Sequence, residues 1–192
     1  ICWWTLHSVM TKTPLHHILG GKSRDVVVGA DFGIQDSIDM LLGNIQQAVD
    51  ANFPRIKLKV ARGWDLDMLH AVKSTFPNVV FHIDCNAGYT LDDLPFFKAI
   101  DDMELAFIEQ PLDYVDIIDH AKLARQIQTP ICLDETISSV KITEQAIREG
   151  ACQYINIKPG RVGGLTNAVA IHDLAQQEGV PVWVGGMIES AL

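Results

Sequence analysis

Between Val79 and Asp134 the chain carries three short apolar runs, each ending on an acid: VVFHID (79–84), LAFIE (105–109) and PICLD (130–134). The acids Asp84, Glu109 and Asp134 recur every 25 residues (109 − 84 and 134 − 109). That interval fits about one strand, one helix and two loops, so each run is predicted to be a strand of a repeating β–α unit. Working outward, RIKLKV (55–60) lies before the acids and YINIK (154–158) after them, with Lys158 following Asp134 by 24 residues (158 − 134). Polar groups at the C-terminal ends of successive parallel strands are how a (β/α)8 barrel of the TIM type builds its site.

The rest of the pattern supplies elements around these strands. Residues 1–19 read as one helix stopped at Gly20-Gly21. DVVVGA (25–30) reads as the first strand, 56–60 as the second and 180–185 as the seventh. Helices are predicted over 37–52, 66–76, 90–100, 116–128, 140–149 and 165–178, closed by such stops as Pro77, Gly150 and Gly179. Seven strands alternating with helices define a parallel α/β fold. An open doubly wound sheet could also hold seven; the barrel is favoured because the polar strand ends recur in consecutive units. A complete barrel takes roughly 250 residues, and no eighth strand follows before Leu192. The chain is therefore expected to be a truncated barrel.

The net charge of −9 argues against nucleic acid or an anionic membrane as a partner. Cys2, Cys85, Cys132 and Cys152 have no paired spacing and read as buried free thiols of a reducing, cytoplasmic setting. No apolar run approaches the roughly 20 residues of a membrane span. ICWWTLHSVM (1–10) lacks the pattern of a signal peptide and has no initiator Met, so it reads as a helix entered midway. A homo-oligomer is compatible with this composition.

Strand parity sharpens the site. Residues two apart share a face. If Ile56, Leu58 and Val60 meet the covering helices, Lys57 and Lys59 point inward. The same parity puts His82 with Asp84, Phe107 with Glu109, Cys132 with Asp134 and Asn156 with Lys158. Three buried carboxylates repel unless a cation neutralises them, and hard oxygen donors suit Mg2+, or Mn2+. Single features have plainer readings. Lys158 alone could be a surface lysine or the Schiff-base lysine of an aldolase. GRVGG (160–164) could cradle a phosphate. Trp3, Trp4 and Trp64 read as packing residues. The chain could also be an inactive scaffold that only binds metal.

Taken together, RIKLKV (55–60), HIDCNAGYT (82–90), FIEQPL (107–112), CLDETI (132–137) and INIKPGRVGG (155–164) resemble the enolase superfamily, in its muconate-lactonizing-enzyme-like subgroup. VWVGGMIES (182–190) is similar to the seventh strand of o-succinylbenzoate synthases and N-acylamino acid racemases. PLHHILGGK (14–22) resembles the joint between the family's N-terminal capping domain and its barrel. The resemblance implies that residues 1–24 are the exit helix and linker of an absent capping domain, and 25–192 the barrel. It implies that Asp84, Glu109 and Asp134 ligate Mg2+ and that Lys59 removes the proton α to the carboxylate of a small substrate. Lys158 would act from the opposite face, and Lys57 would lower the pKa of Lys59. Asn86 and Glu135 would support the metal side, and Gly186, Met187 and Glu189 would line the substrate side. The implied reaction is o-succinylbenzoate synthesis, as in menaquinone formation, or N-acylamino acid racemisation. Dipeptide epimerisation and muconate-type cycloisomerisation are the alternatives. Ser-Ala-Leu after Glu189 departs from the family's more usual Ser/Thr-Gly-Ile.

Overall fold

The fold is that of a computed structural model describing residues 1–23 and 25–187. Seven strands form one parallel sheet in the order β1 to β7: Ala30–Phe32, Ile56–Lys59, Phe81–Asp84, Ile108–Glu109, Ile131–Leu133, Tyr154–Ile157 and Val182–Val184. Consecutive parallel neighbours joined through helices are what the β–α repeat requires. In a flat sheet β2 and β7 would lie about 24 Å apart, five steps of about 4.8 Å. Yet the guanidinium of Arg55, one residue before β2, sits 4.7 Å from the ring centroid of Trp183 on β7. Lys57 of β2 reaches the same ring at 5.5 Å. The sheet therefore curls around an interior, as a partial barrel.

Strand parity divides the buried residues into two populations. Ile56, Leu58, Ile83, Ile108, Ile131, Leu133, Ile155 and Ile157 join the main hydrophobic cluster with the helices. Phe107 and Cys132 are equally buried but stand outside that cluster. They face the barrel interior, where Phe107 packs on His82 at 4.3 Å and Trp183 donates to Cys132 Sγ.

The helices are α1 (Cys2–Thr11), α2 (Leu15–Ile18), α3 (Ile38–Asp50), α4 (Leu66–Thr75), α5 (Leu94–Ile100), α6 (Ile117–Ala124), α7 (Val140–Arg148) and α8 (Leu165–Gln177). Side-chain oxygens start several of them: Ser37 accepts from the Met40 amide, Asp116 from Asp119 and Ser139 from Ile142. Leu41, Ile45 and Ala48 of α3, and Met68, Leu69 and Val72 of α4, bury the stripe facing the sheet.

Three expectations are corrected. Residues 1–19 form two helices, because Lys12 turns left-handed (φ 52) and Pro14 caps α2, where a proline cannot continue α1. The first strand lies at Ala30–Phe32, not at 25–30. Its register pairs Ala30 with Ile56, and Val26, Val27 and Val28 project ahead of the ladder, 59–83% exposed. Apolar composition favours a strand there, but a ladder needs a partner, and the described residues offer none. Cys2 is exposed rather than buried, whereas Cys85, Cys132 and Cys152 are buried free thiols as expected.

Candidate active site

The strand ends bring the predicted charges together. Lys57 Nζ lies 2.6 Å from Asp84 Oδ2 and 2.9 Å from Glu109 Oε2, bridging β3 and β4. Lys59 Nζ lies 2.6 Å from the same Asp84 oxygen, so two ammonium groups share one carboxylate oxygen. On the other flank, Lys158 Nζ sits 2.8 Å from Asp134 Oδ2, and Arg161 pairs with Asp134 Oδ1 and donates to its carbonyl at 2.7 Å. All three carboxylates are 0–1% exposed, a depth at which unpaired charges could not be held. The loop after β3 turns back over the site through left-handed residues Asn86 (φ 44) and Ala87 (φ 60). Asn86 Oδ1 accepts from Lys59 at 2.5 Å while its Nδ2 donates to Glu135 Oε1 at 2.9 Å. Asn156, two residues before Lys158, donates to Glu109 Oε1 at 2.8 Å.

Electrostatics follow from this crowding. Burial raises Glu109, and the nearby charge of Asp84 adds to it beyond what Lys57 offsets, so Glu109 is pushed up to about 7. Burial also works against a charged Lys57, but Glu109 and Asp84 outweigh it and hold the ammonium above its ordinary value. Asp84 stands lower than an ordinary aspartate, because Lys57 and Lys59 overcome the cost of its burial. His82 is driven down to about 2 by burial and by the cations Arg55 and Lys57, so it is a neutral imidazole.

In this arrangement each carboxylate is engaged by a cation, and among the described residues no three His, Cys, Asp or Glu side chains already converge as a metal cage. The donor set nevertheless fits a hard cation. Glu109 Oε2 and Asp134 Oδ2 are buried against ammonium groups, Lys57 at 2.9 Å and Lys158 at 2.8 Å, and Glu135 Oε2 is buried with no hydrogen-bond partner among the described residues. A small divalent ion takes such clustered carboxylate oxygens in place of the ammonium groups.

A cavity of about 600 Å3 opens between β7 and β1. Lys57, His82, Asn156 and Lys158 line its floor, with Trp183, Gly185 and Gly186 on one side and Val26–Val28 on the other. Met187 is exposed near Gly160, and Glu189 lies outside the described residues. Arg161, read from sequence as part of a phosphate cradle, turns instead onto Asp134. Arg55, Gln110 and Trp183 were not singled out from sequence. Arg55 precedes its strand, Gln110 carries no charge, and Trp183 reaches the interior only because the sheet curls.

The fold and site together define a barrel with paired lysines and carboxylates at its mouth. Residues 41–192 match the Enolase C-terminal domain-like family, and the chain belongs to it. It is 44% identical over 189 residues to an o-succinylbenzoate synthase of Geobacillus kaustophilus, covering 98% of this chain and 50% of that protein. It is 46% identical over 175 residues to an N-succinylamino acid racemase of Amycolatopsis sp, covering 91% and 48%. A solved structure of an unknown member of the enolase superfamily from Enterococcus faecalis V583 superposes with a TM-score of 0.91 at 39% identity, covering 97% of this chain and 51% of that one. A dipeptide epimerase from Cytophaga hutchinsonii, complexed with Mg and the dipeptide D-Ala-L-Val, superposes with a TM-score of 0.88 at 26% identity, covering 97% and 52%. The chain thus spans about half the length of the relatives it matches.

Proposed function

We propose that this chain supplies the catalytic barrel of an enzyme that removes the proton α to a carboxylate of a small substrate, assisted by Mg2+, in the cytoplasm. The observation that carries the reading is the pairing of three buried strand-end carboxylates with lysines from both flanks: Lys57 and Lys59 on one side, Lys158 on the other. An α-proton beside a carboxylate is very weakly acidic, so removing it needs both a base and charge stabilisation for the enolate. Asp84, Glu109 and Asp134 would hold the cation, and their burial side by side at neighbouring strand ends, neutralised only by basic side chains, supports that role. When bound, the cation supplies positive charge where the enolate oxygens develop theirs.

Lys59 is assigned as the base. It is the more exposed lysine of its strand, with a side chain 29% exposed against 10% for Lys57, so its amine can reach a ligand. Asn86 holds it toward the site from the loop. Lys57 is fixed as an ammonium between Asp84 and Glu109, so it is not free to act as the base. Lys158, across the site, would steady the enolate in a dehydration or return a proton to the other face in a racemisation. The relatives' names favour o-succinylbenzoate synthesis, a step toward menaquinone, or racemisation of an N-acylamino acid. Residues 1–24 are assigned as the exit from a capping domain, and Gly186, Met187 and Glu189 to the substrate side.

The test is α-proton exchange in D2O on the complete protein, with N-succinylamino acids as substrates. Lys59→Ala should lose exchange by at least a thousandfold while Mg2+ binding persists. Exchange at the wild-type rate would refute the assignment of the base.

A further inference from the structure

Gln110 follows Glu109 directly and is wholly buried. The β4–β5 ladder pairs only Ile108 with Ile131 and Glu109 with Cys132. One more backbone bond follows, from the Gln110 amide to Cys132 O at 2.8 Å. The main chain then leaves the sheet, because Gln110 takes the left-handed φ of 38, a conformation non-glycine residues adopt at a cost. Its side chain continues the ladder where the backbone cannot. Oε1 accepts from the Asp134 amide at 3.0 Å and from the Thr136 amide at 3.1 Å. Nε2 donates to Leu112 O at 3.0 Å and to Thr136 Oγ1 at 2.8 Å. A primary carboxamide has the donor and acceptor of a peptide group, so it can act as an extra rung beyond the strand end.

Behind it stands His120, also fully buried. Its Nε2 accepts from the Leu112 amide at 3.2 Å, which leaves the proton on Nδ1 to be donated to Asp116 O at 2.5 Å. Burial lowers its pKa and keeps the ring neutral, as this bonding pattern requires. The Gln110 carbonyl accepts from the Ala87 amide at 2.8 Å, tying in the loop that carries Asn86. One residue therefore links the ends of β3, β4 and β5, the three strands that carry Asp84, Glu109 and Asp134.

We infer that Gln110 is a positioning residue: its carboxamide fixes the Asp134 strand end against Glu109, so that two mutually repelling carboxylates stay at the spacing a shared cation needs. The inference rests on the reading of those carboxylates as cation ligands. Outer partners of metal ligands typically alter affinity by about 10- to 100-fold.

The test compares Gln110→Met and Gln110→Glu in the full chain. Calorimetric titration with MgCl2 gives the Kd, and amide hydrogen exchange of the metal-free protein reports on Asp134 and Thr136. Gln110→Met, similar in size but without polar atoms, should raise the Mg2+ Kd by about 10- to 100-fold and selectively speed exchange at those two amides. Gln110→Glu keeps the acceptor, so it should protect both amides and hold the Kd within about tenfold of wild type. A Gln110→Met protein with the wild-type Kd overturns the inference. If wild type takes up no Mg2+, the cation reading itself fails. The positioning role is then decided by exchange alone: selective loss of protection in Gln110→Met supports it and unchanged protection overturns it. Should Gln110→Met not fold, Gln110→Glu decides, since unprotected amides in that variant would contradict an acceptor role.

Discussion

Gly185→Ala probes how tightly the site is seated. Gly185 follows β7 directly, is buried, and donates to Ile157 O at 3.1 Å. A Cβ added there would collide with Asn156 Oδ1, and would stand 2.7 Å from its Nδ2 and 2.9 Å from its Cγ. No left-handed φ demands glycine at this position, so the Asn156 carboxamide is what excludes a side chain. To accept alanine, Asn156 must move and release Glu109, breaking a charge-assisted hydrogen bond of 2.8 Å. Such a bond is worth about 1.5–3 kcal/mol, and overpacking typically costs about 1–3 kcal/mol. The two overlap, since moving Asn156 relieves the clash, so a total of about 2–4 kcal/mol is expected. In a chain of this size, the Tm should fall by about 2–4 °C per kcal/mol. Urea unfolding of wild type, Gly185→Ala, Asn156→Ala and the double variant isolates the pair. With Asn156 already truncated, Gly185→Ala should cost less than about 1 kcal/mol, leaving a coupling near 2 kcal/mol. Equal costs in both backgrounds would refute the reasoning.

Three further outcomes follow from the geometry. Glu109 has a folded pKa of about 7, above its ordinary 4.5. A raised carboxyl pKa gives stability that is present at low pH and lost as pH rises through the interval from 4.5 to 7. Metal-free wild type should therefore lose up to about 3 kcal/mol relative to Glu109→Gln between pH 4.5 and 8; denaturation curves with a constant difference across that range would contradict it. His82, depressed to about 2, acts in the opposite sense: its stabilisation is complete above the ordinary histidine value of 6.5 and is lost as pH falls. Acid unfolding of His82→Gln should thus be less steep below pH 6.5. Ser37→Ala removes the α3 cap at 3.1 Å and should cost about 1 kcal/mol in thermal unfolding, with Mg2+ affinity unchanged.

Much of the barrel was legible because two independent periods coincide. The 25-residue recurrence marks the β–α unit, and parity within each strand separates Ile56 and Leu58 from Lys57 and Lys59. Charged residues in apolar strands are conspicuous, so the carboxylates and lysines stood out before any contact was known. Uncharged amides were less conspicuous. Parity placed Asn156 inward beside Lys158, but its bond to Glu109 and the role of Gln110 exist only when neighbouring strand ends meet. Arg161 was visible, but its neighbours Gly160, Gly163 and Gly164 suggested backbone phosphate contacts rather than a side chain turned to Asp134. Val26–Val28 illustrates the opposite error. An apolar run forecasts burial, but its assignment as a strand depends on a neighbouring ladder. The break in the first helix had a local signal, Pro14, whose ring cannot occupy a helix interior.

Crystals of the complete protein soaked in Mn2+ and measured for anomalous scattering test the central claim most directly. The account predicts a single strong peak bounded by carboxylate oxygens of Asp84, Glu109 and Asp134, with Lys59 and Lys158 on opposite sides of the space beside it. The three carboxylates remaining paired with their lysines and Arg161, with no peak among them at saturating Mn2+, would contradict it.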